Sequence, residues 1–319
     1  SEMCIRDSIT LFVPCECDSE EFSTVVDAKL FGSTVTMMSK VSDVVSMRSL
    51  KSSVVLECKG HSIKIRTLDP GSFPQVDYNV GNEKEIVIDQ DLLLEAISYV
   101  RDAANPKDPR EILSGAHFNS EDVVTIDGFR IILAKDVPFW DSPVTIPITS
   151  CIKLLLTLPS VESTVVLKSD SSTKLVFEWD GGIARVTMMS GSYPDYNTLL
   201  PKSHETVVEI PKKDLLTALT FAKPFAESSN NVVSLTISNG TGMLKTESLT
   251  GKNESEMEVC EQDGDDFEIL LSYVFLKDAA SKLEDPISIG YGDSMRMVML
   301  WSGEWGKENL LYGIMPMYS

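Results

Sequence analysis

"GSYPDYNTLLP" occupies residues 191–201, and a near-copy of its opening, "GSFPQVDYNV", occupies residues 71–80. The two Gly-Ser-aromatic-Pro stretches stand 120 residues apart. Glycine permits unusual backbone angles and proline fixes the angle that follows, so the tetrapeptide reads as a sharp corner with an aromatic side chain free to pack beneath it. A corner repeated at one interval implies that the structure leading into it repeats as well.

It does. Before the first corner, "STVVDAKLFGSTVTMM" reads as a short strand and a helix over 27–40, followed by the strands "SSVVLECKG" and "HSIKIRTL". Before the second, "SPVTIPITSCIKLLLTL" reads as strand and helix over 147–158, with Pro147 at a first-turn position where its missing N–H costs nothing. The strands "STVVLKSD", "TKLVFEWD" and "IARVTMMS" then lead to Gly191. A third copy comes late: "DFEILLSYVFLKDAASKL" gives strand and helix over 270–284, then "DPISIGYG", "MRMVMLWS" and "LLYGIMPM". A second pair of half-copies, "EIVIDQDLLLEAISYV" and "VVEIPKKDLLTALTFA", each predicts a strand and an amphipathic helix, over 89–104 and 211–226. Hairpin strands follow each, with Gly- and Asn-rich turns such as "SNGTG".

One unit is therefore a helix with its strands, taken twice, in about 120 residues. Residues 84–202 and 203–319 read as complete units, and residues 1–83 as the second half of a first one. The opening "SEMCIRDS" resembles a translated sequencing adapter and is read as non-native; with the start at Ser1 it suggests an incomplete reading frame.

Composition narrows the function. No apolar run approaches the ~20 residues of a membrane span, and no signal peptide is readable, so the chain is expected to be soluble and cytoplasmic. The six cysteines, Cys4, Cys15, Cys17, Cys58, Cys151 and Cys260, show no metal-binding spacing and are expected to be reduced packing residues. No phosphate-binding loop, Gly-x-Ser-x-Gly or metal motif is present, so no catalysis, metal or cofactor is expected. The acidic run Asp263, Asp265 and Asp266 reads as a solvated turn. A net charge of −20 argues against ordinary nucleic-acid binding, which needs Lys and Arg at the phosphates.

Three motifs, in order within the repeat, carry a family resemblance: "TIDGFRII" (Thr125–Ile132), read as a strand, "GSYPDYNTLLP", and the terminal "YGIMPMYS". Together they resemble the bacterial sliding clamp, the beta subunit of DNA polymerase III, over residues 9–319. The resemblance implies an α+β DNA clamp fold with helices on one side of antiparallel sheets. It implies a non-catalytic processivity factor for DNA replication. Two full-length protomers would close a homodimer ring of six units around duplex DNA, without regard to base sequence. The replicative polymerase and the clamp loader would dock through short hydrophobic peptides.

The same resemblance assigns residues. The peptide groove would use Ile126, Gly128, Phe129, Arg130 and Ile131 from the Asp-Gly motif, Pro194, Thr198 and Leu199 from the corner, and Gly313, Met315, Pro316 and Met317 from the end of the chain. Phe129 stands where the family commonly has His, Gly313 where it has a β-branched residue, and Tyr318 and Ser319 replace a basic-apolar ending. The ring edges would lie near Ile63 and Ile65 on one side and Pro224 and Phe225 on the other. Facing DNA would be Lys29, Lys40, Arg101, Lys153, Lys212, Lys213, Lys223, Lys277 and Lys282 on the helices, with Lys107 and Arg110 just after the second helix. The five helices hold these nine bases against eight acids, a balance of +1 that leaves −21 for the rest of the chain. An acidic exterior with less acidic helices suits a ring that admits DNA without sticking to it. The competing reading is a clamp-like module that binds peptides without closing a ring.

Overall fold

The computed structural model describes residues 8–11, 22–73, 78, 85–140, 142–158, 164–169, 173–249, 251–293 and 295–317. All statements below concern these residues. The chain forms two compact units, residues 1–79 and 80–319.

The five predicted helices are present within a few residues of their expected bounds: α1 (Ala28–Ser39), α2 (Gln90–Val100), α3 (Ile148–Thr157), α4 (Lys212–Ala226) and α5 (Tyr273–Lys282). Their starts follow from local chemistry. The Asp27 carboxylate accepts from the Leu30 N–H, and Asp89 accepts from both Asp91 and Leu92, satisfying donors that the first turn leaves unpaired. Pro147 and Pro211 immediately precede α3 and α4, where a fixed φ costs no hydrogen bond.

The first unit holds the strand Ser8–Leu11, α1, and an antiparallel sheet of Ser46–Leu50, Ser53–Cys58 and His61–Arg66 in that order. Met38, Val54, Leu56, Cys58 and Ile65 form its core. The second unit spans both complete sequence repeats. Its longest sheet has nine strands, and the pairing of Arg130–Ala134 with Leu310–Ile314 joins the strands of one repeat to those of the next.

Each half-repeat of the second unit gives away its leading strand. Glu85–Asp89, which runs into α2, pairs with Thr164–Ser169, the first strand after α3. Val144–Pro147, which runs into α3, pairs with Gly115–Phe118, the first strand after α2. Thr206–Ile210 before α4 pairs with Ile287–Tyr291 after α5, and Phe267–Ser272 before α5 pairs with Val232–Ser238 after α4. The helices pair accordingly, α2 with α3 and α4 with α5.

One expectation is corrected here. Thr125–Ile132 is not a single strand. It is a tight hairpin, Val123–Ile126 and Arg130–Ala134, turned at residues 127–129. The Asp127 carboxylate accepts from the Phe129 and Arg130 N–H groups, each at 3.0 Å, and Gly128 takes φ +91°, a conformation that side chains disfavour.

Candidate functional site

The hairpin turn, the second corner and the terminal strand meet. Ile126, Ile131, Tyr196, Met297, Met299 and Leu311 belong to one buried apolar cluster, and Tyr193, Leu200 and Met315 pack on its side. The end of the chain is fixed by backbone bonds: the Met315 N–H donates to the Phe129 carbonyl and the Met317 N–H to the Leu270 carbonyl, both at 2.8 Å. Pro316 is buried between them, while Met315 and Met317 are half-buried.

The corner is seated from below. The Tyr193 ring stacks on His117 with centroids 4.4 Å apart, and burial lowers the His117 pKa to about 4. Tyr196 is buried; its hydroxyl accepts from the Asn119 amide and donates to the Asp122 carboxylate at 3.4 Å. Burial pushes the Tyr196 phenol up to about 12 and raises Asp122 above its ordinary value. With Tyr193 and Tyr196 held, a short turn at Tyr196–Thr198 presents Pro194, Thr198 and Leu199 to solvent. Phe129 is 66% exposed and Leu199 45%, large apolar side chains on two of the converging segments.

Gly313 pairs with Ile131 across the sheet, and side chains fill the space beside its Cα. A Cβ there would lie 2.6 Å from the Ile131 Cγ2 and closer still to the Met297 sulfur. A β-branched residue is therefore excluded by Met297 as it stands, and the methionine supplies the bulk that the glycine lacks.

Arg130 serves the frame instead of the surface. It is 9% exposed, and its guanidinium donates to Asp127 at 3.0 Å, to Asp278 at 3.4 Å and to the Asp102 carbonyl, over the face of Phe275. It ties the hairpin turn to α5. The accessible guanidinium at this turn is Arg110, expected to face DNA. It pairs with Asp108 at 3.0 Å, donates to the Asp127 carbonyl at 3.2 Å and lies over Gly128.

Sequence reasoning missed Arg110 as a neighbour of the turn, and nothing local in "KDPRE" signals it. It also missed Met297, Met299, Tyr193, Tyr196 and Leu200. The alternation in "MRMVML" does place Met297 and Met299 on one face and could have found them.

The basic residues divide. Lys29, Lys40, Arg101, Lys107, Lys153, Lys213, Lys223 and Lys277 are exposed, with Arg101 3.9 Å from Asp102 and Lys223 3.7 Å from Glu227. Two expectations need correction. The Lys282 ammonium is held by Asp102 at 2.5 Å, Asp278 at 3.2 Å and the Tyr99 carbonyl at 2.9 Å. The Lys212 ammonium donates to the Ser281 and Leu283 carbonyls at the end of α5. Both charges are engaged within the fold. The acidic run was expected to be a solvated turn, but Asp263 ends the strand Glu261–Asp263, and Asp266 accepts from Ser238, Asn239 and Gln262 and braces the neighbouring hairpin turn.

At the expected ring edges, Ile63 is half-buried and lies on the edge strand His61–Arg66, whereas Ile65 points into the core at 2% exposure and offers no contact surface. Pro224 is exposed, and the Phe225 ring lies against Gly251 on the edge strand Gly251–Glu258. Pro74, Tyr318 and Ser319 lie outside the described residues, as do Cys4, Cys15 and Cys17. Cys58 and Cys151 are buried and Cys260 is exposed. No helix among the described residues is long and apolar enough to cross a membrane.

Residues 197–318 match the family model for the DNA polymerase III beta subunit, C-terminal domain. The beta sliding clamp of Synechococcus elongatus is 22% identical over 303 residues, covering 91% of this chain and 80% of that protein. The beta sliding clamp of Bacillus subtilis is 24% identical over 312 residues, covering 92% and 82%. Among solved structures, the DNA polymerase III beta subunit of Thermotoga maritima superposes with a TM-score of 0.86 at 19% identity, covering 99% of this chain and 87% of that one. The DNA polymerase III beta chain of Streptococcus pneumoniae gives 0.83 at 20% identity, covering 98% and 87%. The fold is that of these proteins.

Proposed function

We propose, from its membership of the DNA polymerase III beta-subunit family, that this chain is a sliding clamp: a non-catalytic, cytoplasmic processivity factor that tethers a DNA polymerase to duplex DNA. The observation that carries the reading is the convergence of the hairpin turn, the corner and the terminal strand on one apolar cluster, fixed by the bond from Met315 to Phe129. Residues 84–202 and 203–319 are then two clamp domains in one compact body, and residues 1–83 are part of a third. Ile126, Gly128, Phe129, Ile131, Pro194, Thr198, Leu199, Gly313, Met315, Pro316 and Met317 make the peptide groove, with Arg110 at its rim. Methionines suit such a groove because their flexible thioethers adapt to different apolar partners.

Ring closure would join two edges of opposite charge on different copies. The edge strand His61–Arg66 carries Lys64 and Arg66, and the edge strand Gly251–Glu258 carries Glu254, Glu256 and Glu258. Pro224 and Phe225 flank the second edge. Open strands of this kind accept another chain's strand through backbone hydrogen bonds. DNA would face the exposed lysines and arginines of the helices; the contact is made to phosphates and is independent of base sequence.

The test is fluorescence anisotropy with a labelled hydrophobic pentapeptide carrying Leu and Phe. Leu199→Asp and Phe129→Asp each alter an exposed side chain and are expected to weaken binding at least tenfold, about 1.4 kcal/mol. Unchanged affinity in both variants would sink the groove. The competing reading is a peptide-binding module that does not close a ring. It is separated by retention of the loaded chain on closed circular DNA and its release on linearisation, which only a ring shows.

A further inference from the structure

We propose that the second unit carries a binding cavity for a linear aliphatic amine, separate from the apolar cluster. The two sites lie at opposite ends of one strand pair. Arg130 faces Ile314 at the cluster end, and Ala134 faces Leu310 at the other. Just beyond Ala134, the Lys135 N–H donates to the Asn309 carbonyl at 2.8 Å. There a cavity of about 360 Å³ lies between α2, the end of α5 and the segment 302–310. Small-molecule sites begin at roughly 300 Å³. Part of its wall is apolar, with Leu92 and Ala96 on α2, Leu283 just after α5, and Leu310. An aliphatic stem would pack on that part.

The rest of the wall is charged, and its charges do not balance. Three lysines line it, and each is already neutralised. Lys135 pairs with the buried Glu308 carboxylate at 2.5 Å, Lys307 with Glu304 at 2.7 Å, and Lys282 with Asp102 and Asp278. The Gly306 N–H also donates to Glu308, which fixes that carboxylate from a second side. Three further carboxylates of the wall, Glu95, Asp136 and Glu284, have no ion-pair partner among the described residues. They come from separate segments: α2, the turn after Arg130–Ala134, and the end of α5.

Tyr99 reports that two of these charges converge. Its hydroxyl donates to Glu95 at 2.5 Å. Burial, and then the charges of Glu95 and Glu284, push its phenol up to about 12. An ammonium group entering here meets carboxylates that have no other cation to give up, and its three N–H donors suit acceptors on separate segments. An anion would be repelled by the same charges. No three His, Cys, Asp or Glu side chains among the described residues are grouped to hold a metal ion. The cation that fits is therefore an organic one, with an apolar stem for Leu92 and Leu283 and a charged end for Glu95 and Glu284. The site does not depend on the clamp reading.

Calorimetric titration of the full chain with diaminopentane, an amine at each end, tests this at low ionic strength. Pentanediol is the uncharged isostere. Saturable binding of the diamine is expected, and none of the diol. Glu95→Gln with Glu284→Gln removes two charges and keeps the side-chain shapes; it should weaken binding at least about tenfold. Asp180→Asn with Glu261→Gln removes two exposed charges outside the cavity and should leave the affinity unchanged. A chain of net charge −20 attracts any cation diffusely. Equal losses in the two pairs would reduce the binding to that attraction and overturn the proposal. Absence of saturable diamine binding, or a diol that binds as tightly as the diamine, would overturn it as well.

Discussion

The two Gly-Ser-aromatic-Pro corners begin alike and end differently. In the second, Tyr193 stacks on His117 and Tyr196 is buried against Asn119 and Asp122. Those three supports come from the other half of the same repeat, on and just after the strand that follows α2. In the first, Phe73 is 54% exposed, and the local order comes from Asp69, whose carboxylate accepts from the Gly71 N–H. The tetrapeptide supplies a turn; the other half-repeat supplies a floor. With such a floor the aromatic ring of the corner is packed, and among the described residues Phe73 has no comparable one and stands exposed.

The largest effect should come from the joint that holds the supported region together. Arg130→Ala takes the guanidinium from Asp127 and Asp278, which keep the turn's backbone N–H groups and Lys282 respectively, and about 3 kcal/mol of stability should be lost in urea denaturation. A loss below about 1 kcal/mol would mean that the hairpin does not depend on α5. The two corners can then be compared directly. Tyr193→Ala, at the position equivalent to Phe73, removes the ring stacked on His117 and packed on the apolar cluster and should cost about 2–3 kcal/mol. Phe73→Ala removes an exposed one and should stay within about 0.5 kcal/mol. Equal costs would break the comparison.

Gly313→Val should cost about 1–3 kcal/mol by overpacking against Ile131 and Met297. Adding Met297→Ala should recover most of that loss, because the methionine fills the volume that the valine needs. If the double variant is no better than the single one, the Met297 side chain is not what excludes a larger residue at 313.

The smallest effect is a pH dependence. His117 has a folded pKa of about 4 against an ordinary 6.5, because the stacked ring is buried. The unfolded chain therefore binds the extra proton first. Stability from the neutral ring is fully present above about pH 6.5 and is lost progressively as pH falls toward 4. The melting temperature of the wild type should drop through that window more steeply than that of His117→Gln. Parallel curves would place the acid sensitivity elsewhere.

Much of this architecture was legible in the chain. The 120-residue repeat, the five helices and their capping residues are local signals: a carboxylate or a proline at the right place, and apolar residues at helical spacing. The three segments that meet at the apolar cluster stand out in the sequence as motifs. Read as a strand, Thr125–Ile132 turned out to be a hairpin because the Asp127 side chain competes for the backbone N–H groups that a continuous strand would use.

Charge roles were less legible. Lys282, Lys212 and Arg110 have the composition of surface bases, yet carboxylates and carbonyls distant in sequence hold the first two inside the fold and bring the third to the hairpin turn. Ile63 and Ile65, two residues apart on one strand, share a face and pack on the same core, and only the depth of burial, partial for the first and complete for the second, separates them.

The sequence by itself determined the repeat, the kind of element at each place and the turn chemistry of both corners, because each is decided within a few residues along the backbone. Tertiary structure alone decided which corner acquires a floor, which lysines remain available, and why residue 313 is glycine. Those outcomes depend on side chains that meet from separate half-repeats, and the spacing along the chain does not record which faces are brought together.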